Sequence, residues 1–296
     1  MELENILYGA WDLHVHSAPD VIQRKVTDIE MGKRLVERKM KGYAIKSHVS
    51  MTTGRAKLIN ELYPGFETIG AIVLNNAVGG INPFAVELAV RDRAKIIWLP
   101  TIDALNESNH MAHVIDKAKL PFFAKLRLEL AEKGKLLDPI TILEDGSLNK
   151  KTMEVLDIVF EHNIVLATGH IGQEETFALA KECKKRQYRK LVVTHPNFPS
   201  TTYSKEQQKE LVDMGAFMEH CFTTPYTNKI TWEQAYKEIR YVGVDNCIIS
   251  TDLGQPTYVY PDEGMFEFSK NLLENGFTEE QVRRMTTVNP EFLING

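Results

Sequence analysis

The chain has 296 residues, 43% hydrophobic and 25% charged, with a formal net charge of −5 and a pI near 6.0. That balance is ordinary for a globular protein and argues against an electrostatic nucleic-acid binder. The three cysteines (Cys183, Cys221, Cys247) form no CxxC pair, so neither a disulfide framework nor a thiolate zinc site is expected, and a reducing compartment is favoured. With no signal peptide and no apolar run near the ~20 residues of a membrane span, the expectation is a cytoplasmic protein that works away from membranes.

The apolar run Ile6-Leu7-Tyr8-Gly9-Ala10-Trp11 predicts a first strand leading into Asp12-Leu13-His14-Val15-His16. Strand side chains alternate, so Asp12, His14 and His16 are expected on one face. Two imidazoles two residues apart can grip one metal ion, and neutral imidazole suits zinc and its neighbours. Asp12, further back, is placed to accept the N–H of a ligating ring and fix its tautomer. A loop at Ser17-Ala18-Pro19-Asp20 follows. Thr27 or Asp28 then caps a helix to about Lys41, with Gly42 expected to end it.

Tyr43 to His48 predicts a second strand, Thr53 to Leu62 a helix, and Glu67 to Leu74 a third strand. Asn82, with Pro83 at the first helical position, starts another helix, and Lys95 to Leu99 is a fourth strand broken by Pro100. Alternating strands and helices predict parallel strands joined by right-handed crossovers. Their near-continuous apolar character is that of strands buried on both faces.

Residues 101–149 break the rhythm and read as an insertion. Asn106 to Lys119 and Phe122 to Lys133 have helical spacing, and Ile140 to Leu148 predicts a hairpin turning at Glu144-Asp145-Gly146. Lying after the fourth strand, the insertion is expected to cover the active-site face as a lid or specificity element.

The rhythm resumes with a helix (Lys151 to His162) and a fifth strand (Ile164 to Thr168) ending at Gly169-His170. A helix follows from Glu174 to Arg186, and the most basic run, Lys181 to Lys190, reads as a solvated helix face. A sixth strand (Leu191 to Thr194) ends at His195-Pro196. Ser204 and Gln207 have capping-box spacing. A seventh strand (Ala216 to Glu219) precedes His220, and an eighth (Cys247 to Ser250) ends at Thr251-Asp252. Eight such units fit a single (β/α)8 TIM barrel over residues 1–296, the usual length of which is roughly 250 residues before additions.

A barrel brings its C-terminal strand ends to one face. That face would gather His14 and His16, Lys46 and His48, His170, His195 and Asp252. In this order and spacing, Asp12-x-His14-x-His16, His170, Val192-Val193-Thr194-His195-Pro196 and Ile249-Ser250-Thr251-Asp252 resemble the amidohydrolase superfamily of metal-dependent hydrolases, and Asn289-Pro290-Glu291-Phe292-Leu293 is similar to its closing helix. More narrowly, Lys46-Ser47-His48 with Gly79-Gly80-Ile81-Asn82-Pro83-Phe84-Ala85-Val86-Glu87 resembles the DUF6282 subgroup.

The resemblance implies one or two divalent ions, zinc first and manganese or iron as alternatives. His14, His16 and Asp252 would hold the first ion; His170 and His195 would hold a second. With a single ion, His170 would join the first set and His195 would act as an oxyanion-stabilising group. The family's strand-four bridging residue is missing. Lys46 in carbamylated form is the substitute on paper, with a substrate-binding role as its alternative, and Asp103 and Lys125 are weaker options. Asp252 would move the proton of a metal-activated water, and His195 or His48 would stabilise the developing oxyanion. The expected reaction is hydrolysis of an amide, lactone or ester-like bond in a small molecule. Alternatives are a non-oxidative decarboxylase or phosphoesterase on the same barrel, or a non-catalytic metal-stabilised binding protein. Arg55 is the candidate for a substrate carboxylate or phosphate. Glu219, His220, Tyr203, Tyr226 and Tyr258 are candidates to face the pocket. A homo-oligomer is possible for such barrels.

Overall fold

The computed structural model describes residues 5–114, 120–135 and 137–296. The strands in chain order are β1 (Trp11–Val15), β2 (Gly42–Ile45), β3 (Glu67–Val73), β4 (Ala94–Trp98), β5 (Leu143–Glu144), β6 (Ser147–Leu148), β7 (Val165–Ala167), β8 (Leu191–Thr194), β9 (Phe217–Cys221) and β10 (Cys247–Ser250). Eight of them pair in parallel in the order β1-β2-β3-β4-β7-β8-β9-β10, and β5 and β6 form a separate antiparallel hairpin. The helices between them are α1 (Asp28–Glu37), α2 (Thr53–Leu62), α3 (Pro83–Arg91), α4 (Leu105–Ala112), α5 (Phe122–Glu132), α6 (Lys150–Glu161), α7 (Gln173–Lys185), α8 (Lys205–Asp213), α9 (Thr223–Tyr226), α10 (Trp232–Val242), α11 (Pro261–Glu274), α12 (Glu279–Arg283) and α13 (Asn289–Asn295). This is the (β/α)8 barrel expected from the alternation. No helix among the described residues is long and apolar enough to cross a membrane.

Alternate strand residues separate two apolar clusters. Ala44, Ala71, Ile96, Trp98, Val192 and Ile248 belong to the one inside the barrel. Tyr43, Ile45, Ile72, Ile97, Val193 and Ile249, from the opposite faces of the same strands, join the larger cluster under the helices. Both faces are dry, which is why the strands read as unbroken apolar runs.

The seam between first and last strands is made just past the strand ends. Asp252 N donates to His14 O at 2.8 Å and His16 N to Leu253 O at 2.8 Å. The Asp12 carboxylate accepts from Thr251 N at 3.0 Å and from Thr251 Oγ1 at 2.6 Å. The residues that close the barrel are therefore the ones carrying the candidate ligands. At the opposite end, Asn289 Nδ2 donates to the carbonyls of Val244 (2.8 Å) and Cys247 (2.7 Å), so the closing helix pins the start of β10.

Three local expectations change. The first strand starts only at Trp11, because Gly9 turns the chain at φ +72, and Ile6 and Leu7 bury instead in the outer core. Gly42 does not end α1: Lys39, in the left-handed region at φ 56, turns the chain, and Gly42 opens β2. A Cβ on Gly42 would overlap the Glu67 carbonyl oxygen and the Trp11 ring, so close strand approach is what demands glycine there. Strict alternation fails in β1, whose pairing with β2 shifts register between Asp12 and Val15.

The insertion after β4 folds as α4, α5 and the hairpin. It is stitched to the barrel mouth by Ile140 N to Asp103 O (2.7 Å) and Leu105 N to Ile140 O (2.8 Å). The hairpin turns at Asp145 (φ 47) and Gly146 (φ 74), the positive φ pair of a two-residue turn. The helix expected over Asn106 to Lys119 is present as α4 but ends at Ala112, with His113 as its C-cap; the expected residues 115–119 lie outside the described residues.

Candidate metal centre and its cavity

The C-terminal strand ends border a cavity of about 620 Å³. His16, Lys46, His48, His170, His195 and Asp252 all line it. His14 lies directly beneath, wholly buried. All seven residues singled out from the sequence are thus brought together, from β1, β2, β7, β8 and β10.

The floor is built around Asp252. Its Oδ1 lies 3.1 Å from His14 Nε2 and 3.2 Å from His16 Nε2, and its Oδ2 accepts from Thr223 Oγ1 at 3.2 Å. Burial by itself would raise the Asp252 pKa, but His14 and His16 hold it well below the ordinary carboxylate range. Asp252 sits in the left-handed region at φ 53, a backbone posture compatible with the turn that returns the chain across His14. On the far side of the His14 ring, Glu219 Oε2 lies 3.2 Å from Nδ1. A carboxylate accepts a proton there, so His14 carries a hydrogen on Nδ1, and its Nε2 faces Asp252 and Lys46 on the cavity side; burial and Lys46 act to lower its pKa, but Asp252 and Glu219 outweigh them and leave it raised.

A second pair lies alongside. His195 Nε2 and His170 Nε2 are 3.2 Å apart, with the His14 and His195 rings stacked at 6.1 Å between centroids. Glu107 Oε2 is 3.1 Å from His170 Nδ1 and fixes the hydrogen on that nitrogen. His195 Nδ1 is 3.1 Å from Thr201 Oγ1, whose own proton goes to the His195 carbonyl at 3.0 Å. His195 must therefore donate from Nδ1. His195 thus turns a bare Nε2 to His170 Nε2, a contact that needs a proton or a metal ion between the two nitrogens. Burial first, then His170, pushes the His195 imidazole well below its usual pKa, and burial with Arg24 lowers His16 to about 3. Both are neutral, the state a metal ligand requires.

Those observations test the fit to a divalent ion. Two ligand atoms each ~2.0–2.1 Å from one tetrahedral ion stand ~3.3 Å apart. The Asp252–His14, Asp252–His16 and His170–His195 separations of 3.1, 3.2 and 3.2 Å match that spacing. The ligand atoms of His14, His16 and Asp252 all lie within 4.8 Å of one another. The donor set fits. A second grouping within the same limit, His14, Glu219 and Cys221, lies on the opposite side of the ring. There Cys221 is a buried thiol whose pKa burial pushes well up, and Glu219 orients His14.

Lys46 and His48 complete the floor. Lys46 is almost fully buried, with Nζ 2.9 Å from His14 Nε2; burial lowers its pKa, against the pull of Asp252 and Glu219. His48 stacks on His16 at 4.8 Å, and its Nδ1 is 2.8 Å from Thr101 Oγ1. That hydroxyl already accepts from Asn75 Nδ2 at 2.8 Å, so we assign its proton to His48 Nδ1. His48 then carries its own hydrogen on Nε2 and is a donor.

Several weaker candidates fall away. Arg55 is not in the cavity: it forks onto Asp28 at 2.7 and 2.8 Å and onto the Ser17 carbonyl at 2.9 Å. Asp103 is engaged by Asn76 N and by Arg127, and Lys125 lies on α5 of the insertion. His220 belongs to the opposite face of β9 from Glu219 and Cys221, and is buried. Tyr203 is buried on Thr176, whereas Tyr258 lines the cavity with Tyr226 against its edge. Asp12 does not reach a ligating ring. Glu219 takes that part, and Asp12 instead braces Thr251 and the His14 backbone N–H.

A family of unknown function, DUF6282, matches residues 9–219. No curated protein matches the sequence. Among solved structures, the chain resembles an amidohydrolase from Pseudomonas aeruginosa (TM-score 0.59, 10% identity, covering 99% of this chain and 97% of that one). It also resembles the dipeptidase AC, a metallopeptidase (TM-score 0.62, 11% identity, 97% and 98%), and a β-aspartyl dipeptidase from Fervidobacterium islandicum (TM-score 0.59, 14% identity, 97% and 75%). At these identities the likeness is one of fold.

Proposed function

The chain belongs to the DUF6282 family, and from that premise we propose that it is a metal-dependent hydrolase of an amide, lactone or ester-like bond in a small molecule. The observation that supports this reading best is the convergence of histidine ring nitrogens and an ionised aspartate on one cavity floor, at the spacing of a shared ion. His14, His16 and Asp252 would hold one divalent ion, zinc by preference, and His170 with His195 a second. When bound, such an ion supplies Lewis acidity, lowering the pKa of water and polarising a carbonyl.

The chain's own residues do the rest. Asp252 accepts the proton of the attacking water at a carboxylate oxygen and returns it to the departing nitrogen or oxygen. Thr223 Oγ1, donating to Oδ2, holds that carboxylate in place. His48, donating from Nε2, faces the charge that develops on the carbonyl oxygen. Glu219 and Glu107 fix the tautomers of His14 and His170. Lys46 Nζ lies against His14 Nε2, the atom an ion would take. Carboxylated on Nζ, it would become a bridging ligand, replacing the strand-four bridge that this chain lacks.

Elemental mass spectrometry of the protein as purified, paired with a panel of aryl esters, aryl amides and aryl phosphates, tests this reading. The expected result is about one or two ions per chain, with turnover of esters or amides that a chelator abolishes. A second ion lost in Lys46→Ala identifies the bridge. Turnover of phosphates alone would move the enzyme to phosphoester chemistry. No metal after reconstitution with zinc or manganese would overturn the reading.

A further inference from the structure

The cavity has four cationic side chains among its lining residues: Arg24, Lys46, Arg127 and Lys229. Three are already engaged. Arg24 pairs with Asp20 at 2.7 Å, Arg127 pairs with Asp103, and Lys46 lies on His14. Lys229, in the turn after α9, makes no ion pair among the described residues. Its Nζ sits 4.0 Å above the centroid of Phe198. Phe198 in turn packs on His195 at 4.8 Å, so Lys229 is one aromatic ring removed from the candidate metal centre. Lys229 is an exposed residue, and Asp252 and Glu107 support its charge from a distance. A cation resting on an aromatic face keeps its donors free for an incoming anion.

Another part of the lining is apolar and comes from the insertion. Met111, Leu120, Phe122, Phe123 and Leu128 all line the cavity, and Phe122 and Leu128 remain 49% and 41% exposed. Large exposed apolar side chains inside a concave site mark a surface that a ligand covers.

We propose that the substrate is an amphipathic carboxylate, its anion received by Lys229 and its aliphatic or aryl body lying on the insertion wall. The proposal rests on the hydrolase reading for the name substrate, but not for the binding. One compact ammonium matches a monoanion. A dianionic phosphate is met more often by a fork of guanidinium donors, and both arginines here already have carboxylate partners.

Isothermal titration of the full chain with 4-phenylbutyrate and its neutral isostere 4-phenylbutyramide tests it, in the parent, Lys229→Met and Lys229→Arg. The parent is expected to bind the carboxylate at least about tenfold more tightly than the amide, as a charge-assisted hydrogen bond implies. Lys229→Met should bring the two within about twofold with amide affinity unchanged, and Lys229→Arg should keep the preference. The unchanged amide affinity reports that the cavity is intact. Equal binding in the parent, a preference that survives in Lys229→Met, or no binding of either probe at millimolar concentration would each overturn the assignment. Tighter binding of phenyl phosphate than of 4-phenylbutyrate would overturn the monoanion. A Lys229-dependent preference in a chain that holds no metal would leave the receptor standing and sink the hydrolase reading. Chelator-sensitive hydrolysis of neutral esters with no carboxylate preference would do the reverse.

Discussion

The floor and the wall of the cavity are built on opposite principles. On the floor every candidate ligand leaves a strand end, and most have a second partner behind them: Glu219 behind His14, Glu107 behind His170, Thr201 behind His195 and Thr223 beside Asp252. The backbone itself is tied by the bonds that close the barrel at His14–Asp252 and His16–Leu253. The wall comes from an inserted segment whose helices present Phe122 and Leu128 to open space. Rigid, doubly held polar groups suit chemistry, where a displacement near 1 Å is expensive in rate. An apolar wall grafted onto the mouth suits selection of a substrate body, and its side chains can change without disturbing the barrel.

Substitutions in the two regions should therefore fail differently. The largest effect is expected for Asp252→Asn, which removes both the proposed charged ligand and the proposed proton carrier. Turnover on the best ester or amide should fall by on the order of 10³-fold or more after metal reconstitution. Parent-like kcat would remove Asp252 from the chemistry and revive a purely binding role. Next comes Gly254→Ala. A Cβ there would overlap the His16 carbonyl oxygen at a φ of +141, so the seam must shift. Bound metal and Tm should drop together; a drop in Tm with full metal content would show that the seam and the ligands are independent. Glu219→Gln acts through His14 alone. Metal affinity, read by competition with a chelator, should weaken by about 10–100-fold with little change in fold. An affinity within about twofold of the parent would mean that the Glu219 contact does not tune the ligand. The smallest effect belongs to the wall: Leu128→Ser should leave Tm and metal content alone, within roughly 0.5 kcal/mol of stability. KM for a substrate with an aryl or aliphatic body should rise several-fold with kcat held. A loss of metal in that variant would erase the distinction between floor and wall.

Much of the floor was readable in the linear chain because the signals are local. The His14-x-His16 pair, His170 after Gly169, His195 before Pro196 and Asp252 after Thr251 each follow an apolar run, and repeated strand–helix alternation gathers such run ends on one face. The hairpin at Asp145-Gly146 and the Ser204–Gln207 cap, where Gln207 N donates to Ser204 Oγ at 3.2 Å, were equally local. The partners behind the ligands were not. Glu219 and His220 are neighbours at the end of one apolar strand, and nothing in the order of residues says which of them faces inward. The pairing of β9 with β8 and β10 decides it, placing Glu219 behind a histidine 205 residues away. Arg55 looked free to meet a substrate until folding set Asp28 against it. Lys229 had no motif to mark it, because its role comes from what surrounds it: Phe198 beneath it, and other cavity cations already engaged.

The sequence by itself determined the barrel, the strand ends and the ligand types offered there, since hydrophobic period and turn residues act over a few positions. Only the tertiary structure decided which nitrogen of each histidine faces the cavity, which carboxylates orient His14 and His170, and which cation makes no ion pair among the described residues. Those properties depend on contacts between residues far apart in the chain, and strand register and barrel closure create them.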